Sequence, residues 1–214
     1  MASSAGKSSW FKWAMILSTY LALYMVFIGE KYLVRMVQNE TALNEEFYSV
    51  PVATSAQQRG DRWFTTSFVD NQIMAHSFAM FIPTEEEVAR AKGTEALGAS
   101  VFVWWEGRVR AWWTLVWSSY TRASSVMLWL PYAPLILIPW IVDGWVMRER
   151  RKHTFEFASP IKQRFALIAV VIMPFLFLLL LTAPIVMHPM VTPVALIASA
   201  LLIHQAIANF MKRA

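Results

Sequence analysis

From Phe165 to Met211 the chain runs forty-seven residues without a single Asp, Glu, Lys or Arg. A bilayer's hydrocarbon core is about 30 Å thick and is crossed by about 20 helical residues, so this stretch is too long for one crossing and long enough for two. Pro184, His188-Pro189 and Pro193 mark the turn between them. The stretch therefore predicts a helical hairpin, with arms over 165–183 and 191–211 that occupy the region 165–211.

The rest of the chain conforms to that constraint. It is 57% hydrophobic and 15% charged, with 11 Trp and 14 Phe in 214 residues, whereas soluble domains are about 25% charged. This balance excludes a disordered chain and disfavours a water-soluble globular domain. Trp13 to Gly29 is a further uncharged run of seventeen residues, extended by Trp10, Phe11 and a Lys12 able to snorkel. A cleavable signal peptide is the alternative reading. Gly29-Glu30-Lys31 in place of a small-residue cleavage site favours an uncleaved anchor. Ala123 to Val142 is uncharged for twenty residues, and Pro131, Pro134 and Pro139 predict that this span is kinked and packed against others.

Four crossings sort the basic residues. Lys7, Lys12, Arg148, Arg150, Arg151, Lys152, Lys162, Arg164, Lys212 and Arg213 fall on one side in short segments, which makes that side cytoplasmic and puts both termini there. The other side receives residues 30–122, with nine basic and eleven acidic residues. The expected fold is an all-α membrane protein of four transmembrane helices, with an outer, periplasmic amphipathic helical region between spans 1 and 2. Its segments are 1–29 (tail and span 1), 30–122 (outer region), 123–146 (span 2), 147–164 (basic cytoplasmic loop), 165–211 (spans 3 and 4) and 212–214 (tail).

Within the outer region, Leu33, Met36, Val37, Leu43 and Phe47 recur at helical spacing opposite Glu30, Lys31, Arg35, Glu40 and Glu45, which predicts an amphipathic helix ending before Pro51. Residues 50–60 read as a loop. Phe64, Phe68, Phe78 and Ile82 predict a second amphipathic helix, and Thr84-Glu85-Glu86-Glu87 a capping box for a third. Trp104, Trp105, Trp112, Trp113 and Trp117 lie within fourteen residues and are expected to anchor an in-plane helix at the membrane interface, where indole is favoured. Aromatics among basic residues can also stack on single-stranded nucleic acid, but an outer location disfavours that use.

The inner cluster of Arg148, Arg150, Arg151, Lys152, Lys162 and Arg164 suits anionic headgroups or an acidic partner surface. Asp143, followed by Gly144, is the one acidic residue at a span and hence the intramembrane candidate, as a structural anchor or a proton relay. No cofactor or metal is expected: there is no cysteine, and His76, His153, His188 and His204 lack metal-ligand spacing. Phosphate-loop, dinucleotide and nucleophile-elbow motifs are absent too, and Ser159-Pro160-Ile161-Lys162 matches the S-x-x-K pattern without its companion motifs. A non-enzymatic protein is the consequence.

Leu130-Pro131-Tyr132, Val142-Asp143-Gly144, Phe155-Glu156-Phe157-Ala158-Ser159-Pro160 and the ending Asn209-Phe210-Met211-Lys212-Arg213 resemble the integrating-conjugative-element membrane-protein family, most clearly over residues 100–214. The resemblance implies a multi-pass protein of the bacterial inner membrane, encoded in integrative conjugative elements and plasmids beside type IV secretion genes. The function it implies is a subunit of the conjugative apparatus that recruits or holds the coupling ATPase or another secretion-channel subunit, with membrane lipids as further partners and a homo-oligomer as one form. An entry-exclusion factor and a small transporter or channel are the other readings. The resemblance carries no catalytic residues.

Overall fold

A computed structural model describes Phe11, residues 14–16, 18–20, 22–24, 27–82, 99–154 and 159–210; these are helices and short connections, with no strand among them. An apolar helix at Ala14–Tyr24 precedes α1 (Glu30–Tyr48), α2 (Val50–Phe64), a π turn (Thr65–Val69), α3 (Ile73–Phe81) and α4 (Ala99–Met127). A 3-10 turn (Leu130–Tyr132) then leads to α5 (Ala133–His153), α6 (Pro160–Thr182) and α7 (Val191–Ala208).

Three stretches are long and apolar enough to cross a membrane: Val103–Arg151, which runs through the 3-10 turn, Ile161–Thr182 and Val191–Ala208. In the region of the first expected span the described helix, Ala14–Tyr24, is apolar but shorter than these three. α7 lies between α5 and α6. The two helices in the region of the expected hairpin are α6 and α7, and their large side chains, among them Phe165, Val171, Leu176 and Val194, are exposed. In water such a surface would be untenable, whereas lipid is as apolar as these residues.

Residues 50–60 are helical and correct the loop reading. Pro51 sits in the first turn of α2, where its missing donor would have had no helical partner and its fixed φ favours the helix. Ala53, Ala56, Gly60 and Phe64 form the buried stripe, a small-residue face that lacks the bulky periodicity by which amphipathic helices are read. At Gly60 a Cβ would meet the Thr121 Cα at 2.7 Å, so only glycine allows α2 to lie this close to α4. α1 passes into α2 through Ser49 alone, at φ 74° and ψ 151°, a backbone region that disfavours any side chain. The second amphipathic helix is interrupted: the π turn and Gln72 at φ 56° separate α2 from α3.

α4 is the axis on which α1, α2 and α3 pack. Its Ala111 and Leu115 pack on Leu33 and Met36 of α1, while Val109 and Trp113 pack on Phe64, with Phe68, Met74 and Phe78 around them. α4 runs unbroken through residue 122, so the boundary drawn between 122 and 123 falls inside one helix. The α-helix is interrupted at Leu128–Tyr132, where Pro131 and Pro134 remove donors that an uninterrupted helix would use. The capping-box segment Thr84–Glu87 and most of the Phe155–Pro160 motif lie outside the described residues.

Candidate functional site

A buried ion pair joins α1 to α4, and its arginine fastens both to the end of α6. Glu40 falls on the apolar stripe of α1, one turn after Met36, and Arg122 falls on that of α4, two turns after Leu115; both are buried. Arg122 donates from Nε to Glu40 Oε1 at 2.9 Å and from Nη2 to Oε2 at 2.8 Å. Its remaining donors reach backbone carbonyls at the end of α6: Nη1 bonds Leu181 O at 3.0 Å and Ala183 O at 2.6 Å, and Nη2 bonds Ile185 O at 2.6 Å. The last carbonyls of a helix have no intrahelical donors and carry partial negative charge, so a guanidinium there satisfies them and the carboxylate together. Tyr32 Oη adds a bond to Pro184 O at 3.0 Å.

A second polar cluster lies between α5 and α7. A Cβ at Gly144 would stand 3.1 Å from His204 O and 3.3 Å from its Cα, which explains the Asp143-Gly144 step: glycine lets the two helices close. His204 is buried, its ring edge-on to Trp140 at 5.6 Å, and its Nε2 approaches Asp143 Oδ2 at 3.0 Å. The approach lacks hydrogen-bond alignment, and both ring nitrogens remain without a hydrogen-bond partner. Asp143 itself is exposed.

At the basic end, Arg151 donates to Ala208 O at 2.8 Å and to Asn209 Oδ1 at 3.1 Å, closing the end of α7 as Arg122 closes that of α6. Arg148 stacks over Trp145 and Phe210. Arg150, Lys162 and Arg164 are exposed, whereas the side chain of Lys152 lies outside the described set. Ser159 caps α6, its Oγ accepting from the Lys162 backbone N–H at 3.4 Å, which is the role of the S-x-x-K match. These cations stand at the start of α6 and the ends of α5 and α7, one end of the helix group.

The tryptophans divide. Trp113 is buried and donates to Ser77 Oγ at 2.8 Å, and Trp117 donates to Asp61 Oδ1 at 2.7 Å. Trp112 and Trp105 pack against the same cluster. Trp104 is the exposed one, with Arg108 over its ring at 4.9 Å. Trp129 holds Tyr48 Oη at 2.8 Å, and burial pushes the Tyr48 phenol above its ordinary pKa. Among the described residues, no group of three or more His, Cys, Asp or Glu is placed to hold a metal ion.

Sequence reading missed the Glu40–Arg122 pair by assigning Glu40 to the polar face of α1. The available signal was its register with Leu33 and Met36, matched by Arg122 in register with Ala111 and Leu115.

Among the described residues, fold and clusters together define an all-helical protein whose apolar helices of membrane-spanning length are compatible with a multi-pass membrane protein, with structural polar clusters between its helices. The family model for IncC plasmid conjugative DNA transfer protein DtrJ-like matches residues 24–211, and the chain belongs to that family. No curated protein and no solved structure matches it.

Proposed function

We propose that this chain is a non-enzymatic inner-membrane subunit of a conjugative type IV secretion apparatus that assembles with, or recruits, the coupling ATPase. The observation that carries this reading is the match to a conjugative DNA transfer family across nearly the whole chain. Four spans, with Ala14–Tyr24 inside the first, put both termini and the basic ends of α5, α6 and α7 in the cytoplasm. They put α1–α3 in the periplasm. The structure lends support in the direction of the helices: Tyr20 bonds Leu179 O at 3.2 Å and Tyr32 bonds Pro184 O, so the N-terminal segment ascends beside α6 toward the hairpin turn.

A cytosolic ATPase partner would meet the end that carries Arg148, Arg150, Lys162 and Arg164. Charged rims of this kind steer encounter and set specificity, and the same residues lie within reach of anionic headgroups. The test is crosslinking in donor cells from a photoreactive residue at position 150 or 162. An adduct with the coupling ATPase, weakened when Arg150, Lys162 and Arg164 are changed to Gln, supports the reading. Adducts with lipid alone contradict the ATPase contact.

A further inference from the structure

Among the described residues, α5 takes its packing almost wholly from α7, and the rest of its circumference is bare: Leu135, Ile138, Val142, Trp145, Val146 and Met147 are all exposed. Asp143 sits in this bare apolar surface with its side chain 63% exposed. Arg148, stacked on Trp145 and Phe210, marks the basic end, and Asp143 lies five residues before it, about 7 Å along the helix. Among the described residues, His204 is the only charged or titratable side chain within ion-pair distance of the carboxylate. His204 comes from behind, 6% exposed and wedged against Gly144 and Trp140, and among the described residues no donor meets the outward side of the carboxylate.

Ionisable groups at membrane depth face other helices and pair with one another, because hydrocarbon cannot solvate them. We propose that the Asp143 face of α5 docks a transmembrane helix of a different protein, one that presents a lysine or arginine at the depth of Asp143. Charge complementarity selects this occupant. A second copy meeting through the same face, about an axis along the membrane normal, would set Asp143 against Asp143. The inference rests on α5 being a span, one part of the proposed topology, and is independent of the coupling-ATPase contact.

The experiment places benzoylphenylalanine at Val146 or Met147, one turn from Asp143 on its face, in the full-length chain within donor cells carrying the whole element. Irradiation is expected to give an adduct with one other membrane protein, joined at an apolar segment that contains Lys or Arg. Asp143→Leu and the isosteric Asp143→Asn should weaken it about tenfold, and Asp143→Glu should retain it. An adduct undiminished in both Leu and Asn variants, an adduct with a second copy of this chain, or no protein adduct would overturn the proposal. Carbonate extraction of the same membranes separates the causes: release of the chain overturns the span reading itself, whereas retention confines failure to the docking.

Discussion

Arg122 grips both carboxylate oxygens of Glu40, and with its remaining donors it closes the end of α6. One side chain thus joins α1, α4 and the hairpin. Burying two charges is costly, and mutual attraction offsets that cost only when every donor is satisfied, as here.

Removing one partner should therefore be worse than removing both. Arg122→Met leaves the buried Glu40 carboxyl group without its partner and is expected to cost about 3–5 kcal/mol. Glu40→Leu on that background should recover part of the loss, because no uncompensated charge remains. Thermal unfolding in detergent micelles of the two single variants and the double variant checks this. Additive losses would mean that the pair is not coupled.

The two close-packed glycines should differ in severity. Gly60→Ala pushes a methyl into the Thr121 backbone, which cannot swing aside, and should cost about 1–3 kcal/mol through separation of α2 from α4. Gly144→Ala meets looser contacts at His204 and should cost less. Limited proteolysis of the 50–81 region reports the first, since only Gly60→Ala is expected to accelerate cleavage there.

Ser49 offers a change in the opposite direction. Its positive φ with extended ψ is a conformation that glycine adopts without penalty, so Ser49→Gly should stabilise the chain by about 1 kcal/mol. A higher melting temperature than wild type is the expected result, and an unchanged or lower one counts against strain at this link.

Much of this architecture was legible because membranes impose a simple rule: an uncharged run long enough to span must be helical. The hairpin of α6 and α7 follows from residues 165–211 on that ground. The helices between residues 30 and 81 obey no such rule. α2 escaped notice because its buried face is Ala53, Ala56 and Gly60, where the absence of bulk makes the packing possible and hides the period. Trp113 and Trp117 show the same limit: an indole that donates to Ser77 or Asp61 looks, in sequence, like one that sits at a lipid surface. Glu40 reads as a polar-face residue by itself, and its pairing with Arg122 is visible only when each is placed on its own helix's apolar stripe.

Topology is open to direct labelling because the chain has no native cysteine. A single Cys at His188, exposed in the turn between α6 and α7, should react with a membrane-impermeant maleimide in intact spheroplasts. A Cys at Arg150 should react only after lysis. Equal reactivity at both positions would contradict an odd number of crossings between them.

The central claim, that this family member acts in conjugative DNA transfer from within the donor membrane, is tested most directly by deleting the gene and measuring conjugation frequency. Deleted cells serve once as donor and once as element-bearing recipient. The account predicts a complementable loss of transfer in the donor arm and no change in the recipient arm. Increased acceptance by the recipient with normal donor transfer would make the protein an exclusion factor, and no change in either arm would contradict a role in transfer altogether.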